Sequence, residues 1–333
     1  MQVHENYSLQ KYNTFHIDAK ARYFSTFSSR EELAELLDKK PSEKKFILGG
    51  GSNVLFTKDF NGFVLKNEIP GIDMLWEDDQ FVYIRAGAGV LWHSFVTFCV
   101  NNNFAGVENL SLIPGHVGAS PMQNIGAYGV EIKDVFWELE AFHLTEKTVQ
   151  PFKAEDCAFG YRESIFKNKY KDQFAILNVT YRLKKVPDFN IAYGAIESEL
   201  ENMEVNNLTI KAISDAVISI RTSKLPDPAI IGNAGSFFKN PVVGKEKMEE
   251  LKEKEVPNYP NGENYKIPAG WLIEQCGWKG FRRDDAGCYD KQALVLVNYG
   301  KASGKEIYDL SEEIKISVKE KFGIELEKEV NIF

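Results

Sequence analysis

The sequence predicts a protein of the α+β class, organised in two or three parts. Its 333 residues correspond to about two average domains. In the first half, short apolar runs typical of strands alternate with glycine turns, and in the last third helical and extended patterns alternate. Hydrophobic residues make up 44% of the chain and aromatic residues 13%, which is enough to bury a sizeable core and excludes a disordered chain.

The predicted elements follow one another without an internal repeat. The first half has strand patterns at 46–48, 62–65, 81–84, 135–139 and 174–181, and a short buried helix at 91–100. After a polar segment at 184–207, apolar residues recur at helical spacing over 210–220, and Pro226 and Pro228 end that pattern. The last third predicts helices at 269–276 and 305–322 and strands at 293–297 and 326–332.

Composition also restricts the partners of the chain. A formal net charge of −8 argues against a surface that coats nucleic acid. The cysteines show no CxxC spacing and no nearby histidine pair; they are Cys99, Cys157, Cys276 and Cys288. We therefore expect free thiols in a reducing compartment and no bound metal.

One long segment carries almost no charge. Between Ala86 and Val130 the only formally charged residue is Glu108, and the segment contains seven glycines. Asparagines and prolines interrupt it before it reaches the ~20 apolar residues of a membrane span. The first residues of the chain lack the basic region and apolar run of a signal peptide, so we expect a cytoplasmic protein.

Two glycine-bearing segments are candidates for ligand binding. Residues 48–53 follow a strand pattern, and their three glycines would let successive N–H groups converge on a phosphate, although a tight turn without a ligand is the alternative. Their spacing matches neither a Rossmann fingerprint nor a P-loop. Residues 113–129 combine glycines, prolines and amides without charge. They suit a neutral ring, with a buried loop packed on core as the alternative.

Two further segments carry groups suited to acting on an anionic ligand. Arg162 could clamp a carboxylate or steady a negative charge, and an ion pair with Glu163 or another acid is the alternative. The segment 232–241 gathers hydroxyl, amide and cationic donors. Ser236 within it has no adjacent histidine, so proton donation suits it better than nucleophilic attack, and a turn before a strand is the alternative for the segment.

Glu327 and Glu329 stand two residues apart on the predicted terminal strand. Side chains at this spacing face the same side of a strand. Without further context, an exposed acidic strand face is the simpler interpretation.

Taken in order, these segments resemble the UDP-N-acetylenolpyruvoylglucosamine reductase family (MurB), flavoenzymes of peptidoglycan precursor synthesis. The resemblance rests on the motifs KYNTF at 11–15, LGGGSN at 48–53, IPGHVGASPMQNIGAYG at 113–129, GYRES at 160–164, GNAGSFFKNP at 232–241 and LEKEV at 326–330. The intact AYG at 192–194 is similar to the family's type I branch. The resemblance covers nearly the whole chain.

The resemblance implies a p-cresol methylhydroxylase-like FAD-binding fold of two α+β subdomains and a smaller C-terminal α+β substrate domain. The implied boundaries are 1–68 and 69–219 for the two subdomains and 220–325 for the substrate domain. Residues 326–333 would return to the active site as a terminal strand.

The same resemblance implies FAD and NADPH as cofactors. Residues at the FAD pyrophosphate would be Gly49, Gly50, Gly51, Ser52 and Asn53. The other implied FAD-binding residues are Pro114, Gly115, Gly118, Ala119, Gln123, Asn124, Ile125 and Gly126, of which the last four would face the flavin end. NADPH would reduce the FAD and leave before the enolpyruvyl sugar nucleotide binds.

The implied reaction converts UDP-N-acetylenolpyruvoylglucosamine to UDP-N-acetylmuramate. Hydride would pass from the reduced flavin to the enolpyruvyl methylene carbon, and Ser236 would protonate the adjacent carbon. Arg162 would stabilise the enolate-like charge, and Glu329 would act near the same carboxylate. The implied substrate-binding residues are Tyr193, Lys224, Asn240 and Gln292, with Tyr193 and Lys224 at the diphosphate. The polar segment 184–207 could close over the substrate as a lid.

The chain departs from the family pattern at two places. His116 stands where a small hydroxylated residue is usual, and Cys288-Tyr289 replaces valine followed by serine or histidine. An oxidase of the vanillyl-alcohol type would leave 232–241 without a role, and a non-catalytic nucleotide-binding protein would need no such set of catalytic residues. We expect a monomer with no nucleic-acid, membrane or obligate protein partner.

Overall fold

The computed structural model describes residues 1–192 and 195–333 and divides them into two compact units. The larger unit comprises Met1–Tyr7, Ala21–Gly51 and Asn61–Ser223, and the smaller unit comprises Ser8–Lys20, Ser52–Phe60 and Lys224–Phe333. Each unit contains strands and helices, so the predicted α+β class is confirmed. The segment 48–53 is divided, because its glycines belong to the larger unit and Ser52 and Asn53 to the smaller.

One sheet of the larger unit carries the glycine turn at the end of a strand. Its strands lie in the order His4–Ser8, Lys20–Phe27, Phe60–Asn67 and Lys45–Leu48. The last two are parallel, with Leu48 opposite Lys66. Helix Arg30–Lys39 begins after its cap Ser29 and buries a leucine face in the core with this sheet, formed by Leu33, Leu36 and Leu37.

The second sheet of the larger unit is antiparallel. Its strands lie in the order Val149–Lys153, Phe136–His143, Phe174–Lys184, Phe81–Gly87 and Ile72–Glu77. Helix Trp92–Asn101 shares its core through Trp92, Phe95, Val96, Cys99 and Val100. The strands predicted at 81–84, 135–139 and 174–181 and the helix predicted at 91–100 are confirmed.

Short elements and two helices complete the larger unit. The charge-poor segment and the residues after it form the 3-10 turns Glu108–Leu110, Val117–Ala119 and Ile132–Asp134 and the strands Gly126–Ala127 and Val130–Glu131. Helices Ile196–Asn202 and Ile210–Lys224 pack through a separate apolar cluster that includes Leu200 and Val217. The helix predicted over 210–220 is confirmed and extends to Lys224.

The smaller unit is built on short strands and one long helix. One sheet has the strand order Gly232–Ser236, Val295–Asn298, Ala286–Cys288 and Arg282–Arg283. Another has the order Val242–Val243, Asn264–Lys266 and Tyr259–Asn261. Strands Val54–Leu55 and Asn331–Ile332 form a parallel pair. Its helices are Lys245–Glu250, Ala269–Gln275 and Gly304–Phe322, with 3-10 turns at Gln10–Tyr12 and Lys252–Lys254. Across residues 1–192 and 195–333, no helix has the length and apolar character needed to cross a membrane.

The end of the chain differs from the prediction. The sequence predicts one strand over 326–332, whereas the structure has a strand only at Asn331–Ile332. Residues 327–329 instead pair with 237–239 around a bridge between Phe238 and Lys328. Apolar alternation predicts extended backbone correctly here, but it does not reveal that the segment changes its pairing partner midway.

Candidate functional site

The glycine turn that follows strand Lys45–Leu48 packs directly on the charge-poor segment. A Cβ on Gly50 would lie 2.9 Å from the Cα of Gly115, closer than any side chain tolerates, so only glycine fits. A Cβ on Gly49 would lie 3.9 Å from the Cβ of His116. The structure therefore brings together the two glycine-rich segments that the sequence marks as separate candidates.

The first half of the segment 113–129 is held to the rest of the larger unit by its backbone. The N–H groups of Val117 and Gly118 donate to the carbonyls of Val90 and Ala88, at 2.9 and 3.0 Å. The carbonyl of Gly115 accepts from the Trp92 N–H at 2.9 Å. These bonds hold the loop rigid, and Pro114 and Ala119 are exposed on it.

Ser120 of this loop contacts Tyr181 of strand Phe174–Lys184. Their hydroxyl oxygens are 2.7 Å apart, and both residues are buried. Burial raises the pKa of Tyr181, so its hydroxyl stays protonated. Sequence reasoning missed this pair. A signal was available, because Tyr181 falls on the buried face of a strand pattern and a buried tyrosine hydroxyl needs a partner.

The side chain of Asn124 is fully engaged with the protein. Its Nδ2 donates to Glu131 Oε2 at 2.9 Å and to the carbonyl of Gly160 at 3.1 Å. Its Oδ1 accepts from the Lys133 N–H at 3.1 Å. The predicted cofactor-binding residue therefore acts on its neighbours through three hydrogen bonds, and its backbone rather than its side chain is the part available to a ligand. Gln123, Ile125 and Gly126 flank it, all partly exposed.

Arg162 lies at the point where the Gly160 segment meets the charge-poor loop. Its Nη2 donates to the carbonyl of Gly126 at 2.9 Å, and its guanidinium lies 5.4 Å from the ring centre of Tyr161. Its backbone adopts a left-handed conformation with φ 56°, which is uncommon for a residue with a side chain and typical of functional sites. Glu163, the alternative ion-pair partner, contacts Lys167 at 3.8 Å and Asn168 at 2.9 Å.

In the smaller unit, a β-bulge determines where Ser236 lies. The register between Gly232–Ser236 and Val295–Asn298 shifts between Asn233 and Ser236. Gly235 adopts φ 69° within this shift, and its N–H is held by Asn233 Oδ1 at 2.9 Å. Bulges of this kind re-aim a side chain and occur next to active sites. The segment is therefore a bulged strand that ends at Ser236, and not the simple turn that was its alternative.

Glu329 lies beside the end of that strand. Its N–H donates to the carbonyl of Phe237 at 2.8 Å, and the N–H of Lys239 donates to the carbonyl of Glu327 at 2.9 Å. This short antiparallel ladder places Glu329 opposite the residue that follows Ser236. The two predicted catalytic residues of the smaller unit, distant in sequence, thus lie on neighbouring extended segments.

Asn53 connects the start of the smaller unit to the same place. Its Nδ2 donates to the carbonyl of Glu329 at 3.3 Å, and its own carbonyl accepts from the Asn331 N–H at 3.1 Å. Ser52, its neighbour, is partly buried. Sequence reasoning assigns both to a pyrophosphate, and these bonds add a role for Asn53 in holding Glu329.

Two predicted substrate-binding residues meet at the start of helix Ala269–Gln275. Asn240 Oδ1 accepts from the Ala269 N–H at 2.9 Å. Gln292 Oε1 accepts from the Leu294 N–H at 3.3 Å and lies 2.7 Å from where a Cβ on Gly270 would be. Because both amide oxygens are used internally, the NH₂ groups are the donors left for a ligand. Lys224 is exposed at the end of its helix, and Tyr193 falls outside the described residues.

Two basic side chains near the predicted substrate-binding residues in the sequence, Lys239 and Arg221, are already engaged with the protein. The Lys239 side chain is 8% exposed, and its Nζ lies 2.6 Å from Glu327 Oε1. Arg221 Nε donates to the carbonyl of Leu112 at 3.2 Å, and burial lowers its pKa while Tyr128 opposes that shift. Lys224 is thus the more accessible of these positive charges.

The larger unit has features that fit a bound flavin dinucleotide. The glycine turn presents backbone without side chains, and the adjoining loop carries no charge. The sequence comparisons agree with this fit, because residues 21–149 match the family model described as FAD binding domain. Residues 227–333 match the model described as UDP-N-acetylenolpyruvoylglucosamine reductase, C-terminal domain.

Full-length relatives extend these matches. The chain is 52% identical to the UDP-N-acetylenolpyruvoylglucosamine reductase of Amoebophilus asiaticus, covering 100% of this chain and 99% of the relative. It is 50% identical to that of Flavobacterium johnsoniae, covering 100% of both chains. The crystal structure of the reductase (MurB) from Thermus caldophilus shares its fold, with a TM-score of 0.70 at 22% identity over 100% of this chain and 98% of that one. The chain therefore belongs to the UDP-N-acetylenolpyruvoylglucosamine reductase family, an FAD-binding family of oxidoreductases.

Proposed function

We propose that the protein reduces UDP-N-acetylenolpyruvoylglucosamine to UDP-N-acetylmuramate with NADPH and FAD, in peptidoglycan precursor synthesis. Its full-length relatives carry the reductase name. The observation that carries the proposal is the ladder that sets Glu329 beside the strand end at Ser236. A hydroxyl and a carboxylate are thereby held on one rigid scaffold, as proton transfer next to a carboxylate-bearing carbon requires.

FAD, when bound, supplies the hydride that reaches the enolpyruvyl methylene carbon. Its pyrophosphate is assigned to the N–H groups of 49–51 together with Ser52 and Asn53. The rest of the cofactor would be held by the backbone of 114–126, at Pro114, Gly115, Gly118, Ala119, Gln123, Asn124, Ile125 and Gly126. Asn124 contributes through the loop that its side chain holds in place.

Ser236 donates the proton that completes the reduction. A serine hydroxyl is a weak acid, so it requires a strongly basic acceptor, and the carbon next to the substrate carboxylate gains that character as hydride reaches the methylene. The bulge at Gly235 shifts the strand register just before Ser236, and bulges of this kind re-aim a side chain. Glu329 acts near the same carboxylate and keeps the local hydrogen bonds oriented.

Arg162 stabilises the negative charge that develops on the substrate. Its bond to the Gly126 carbonyl orients the guanidinium before the substrate arrives. Preorganised donors of this kind need no rearrangement during the reaction and are therefore effective.

Substrate binding is assigned to Tyr193, Lys224, Asn240 and Gln292. Lys224, exposed at a helix end, meets the diphosphate together with Tyr193. The NH₂ groups of Asn240 and Gln292, oriented by the bonds of their oxygens, donate to the sugar nucleotide.

The cellular setting follows from the reaction. The protein is a cytoplasmic monomer that contributes to cell-wall biogenesis and, through the wall, to cell shape and division. Residues 1–68 and 69–219 form the FAD-binding subdomains, 220–325 the substrate domain, and 326–333 the returning strand.

The two half-reactions can be tested separately on the purified protein. Without oxygen, NADPH should bleach the yellow flavin band, and UDP-N-acetylenolpyruvoylglucosamine should restore it with formation of UDP-N-acetylmuramate. UDP-N-acetylglucosamine, which lacks the enol ether, is the matched control and should leave the band bleached. If only oxygen restores the band, the protein is an oxidase; if NADPH never bleaches it, the proposed reductase is wrong.

A further inference from the structure

Lys66 is a buried cation near the end of strand Phe60–Asn67. The residue is 8% exposed, and across residues 1–192 and 195–333 its ammonium forms no hydrogen bond and no ion pair. The exposed carboxylate of Glu68 only opposes the fall in pKa that burial causes at Lys66. A charge taken out of water without a partner is costly, so the protein needs a reason to keep one here.

The register of the sheet brings Lys66 level with the start of the glycine turn. Lys66 lies opposite Leu48 on the parallel neighbouring strand, and the glycines follow directly at 49–51. The adjacent Leu65 packs in the core with the leucine face of helix Arg30–Lys39. Successive side chains of a strand point to opposite faces, so Lys66 extends from the other face of the sheet.

His116 neighbours both Lys66 and the glycine turn. Its ring Cδ2 is 3.2 Å from where a Cβ on Gly50 would be, and its Cβ is 3.9 Å from the corresponding position on Gly49. The Lys66 ammonium is near enough to this ring to lower the pKa of His116. The positive charge therefore lies beside the backbone to which the FAD pyrophosphate is assigned.

The ammonium is accessible, and the loop beside it supplies no counter-ion. Lys66 Nζ is not among the side-chain atoms of the described residues that are sealed from solvent without a partner, so part of its surface remains open. Residues 113–129 contain no carboxylate. Glu108, the one acid of the charge-poor segment, accepts from the Gly106 N–H at 2.6 Å. In the described protein, the charge of Lys66 thus has no negative group bonded to it.

The chemistry of this position selects a phosphate group. A lysine ammonium is a compact charge with three N–H donors and is a common ligand of phosphates. The pyrophosphate of FAD is a dianion, and the N–H groups of a glycine turn carry only partial charges. We propose that the ammonium of Lys66 binds the pyrophosphate of FAD together with the N–H groups of 49–51; this rests on the proposed function, in which FAD occupies the turn.

Three substitutions isolate the charge. Lys66→Met removes it and keeps a side chain that fills most of the same space, and Lys66→Gln is a second variant without the charge. Lys153→Met removes a lysine charge from an exposed site of the same unit and is the matched control. Because Lys66→Met removes a buried charge that has no partner, the thermal unfolding midpoint of its apoprotein should not fall.

The test is a titration of each apoprotein with FAD, followed by the quenching of flavin fluorescence. Loss of one hydrogen bond between charged groups should weaken FAD binding roughly ten- to hundredfold in Lys66→Met, and Lys153→Met should bind as the unmodified protein does. Salt screens the attraction between charges, so sodium chloride should weaken FAD binding less in Lys66→Met than in the unmodified protein. A lowered unfolding midpoint identifies a packing defect, and Lys66→Gln then stands in for Lys66→Met.

The outcomes separate this inference from the proposed function. If the unmodified protein does not bind FAD, the proposed function fails and this inference fails with it. If it binds FAD and the Lys66 variants bind as tightly, the proposed function stands and Lys66 has no part in holding the pyrophosphate. Weaker binding with an unchanged dependence on salt would also overturn the inference, because the loss would then come from packing and not from charge.

Discussion

Arg162 Nη2 donates to the carbonyl of Gly126 at 2.9 Å, and Asn124 Nδ2 donates in the opposite direction, to the carbonyl of Gly160, at 3.1 Å. The two bonds join the same pair of loops from opposite sides. The loop proposed to border the flavin and the loop that carries the proposed catalytic arginine are therefore linked to each other, and one of these bonds holds the guanidinium to the backbone of Gly126.

Asn124→Ala should lower both stability and turnover. It removes the three hydrogen bonds of a fully buried side chain, and alanine tolerates the left-handed φ of 45° less well than asparagine. We expect a loss of about 3 kcal/mol in the free energy of unfolding, measured with urea. Asn206→Ala, at an exposed turn, is the control and should change little. Equal stability of the two variants would contradict the linking role.

Ser236→Ala should separate the half-reactions. NADPH should still bleach the flavin, because the hydroxyl is needed only for the later proton transfer, while steady-state turnover should fall by about 10²-fold or more. Stopped-flow absorbance measures the first step and product formation the second. Ser42→Ala, at an exposed site, controls for loss of a hydroxyl. Impairment of both half-reactions to the same degree would rule out the assigned role.

Lys224→Ala should weaken binding of the sugar nucleotide. A charge-assisted bond to the diphosphate is worth enough to raise the apparent KM roughly tenfold, with NADPH oxidation in the first half-reaction unchanged. Lys211→Ala is a matched control, since Lys211 lies on the same helix and pairs with Asp215 at 2.7 Å. An unchanged KM in Lys224→Ala would remove this residue from the substrate site.

Acid should destabilise the apoprotein partly through His116. Its pKa is about 4 in the folded protein and near the ordinary 6.5 when unfolded. Between these two pKa values the unfolded chain binds a proton at His116 and the folded chain does not. The contribution of the neutral His116 to the free energy of unfolding is therefore fully present above about pH 6.5 and is lost as the pH falls towards 4. The free energy of unfolding, measured with urea, should fall between about pH 7 and about pH 5 in both proteins. The fall should be roughly 1–2 kcal/mol smaller in His116→Gln than in the unmodified protein. Identical pH profiles would mean that His116 titrates normally.

Periodicity predicts most of the elements around the site. The helix at 91–100 and the strand at 174–181 are confirmed because their apolar positions repeat at the spacing of the element they form. The terminal segment is predicted less well, since extended backbone has two possible partners there and only three-dimensional pairing selects 237–239 for one part and Val54–Leu55 for the other.

Residue types predict the chemistry of the site better than its geometry. The uncharged, glycine-rich composition of 113–129 predicts a surface for a neutral ring, and the structure shows in addition that Gly115 packs against Gly50. The bulge before Ser236 and the internal bonds of Asn124 are not visible in the sequence, because each depends on partners distant along the chain.

The contact between Gly50 and Gly115 has a consequence for how this protein can change over evolutionary time. A crowded position can usually be relieved when its neighbour is replaced by a smaller residue. Here the neighbour is already glycine and the atom in contact is its Cα, at 2.9 Å from a Cβ on Gly50, so no second substitution can make room. A substitution at Gly50 therefore cannot be compensated by a smaller residue at position 115, and we expect the glycine at this turn to be kept while its surroundings vary.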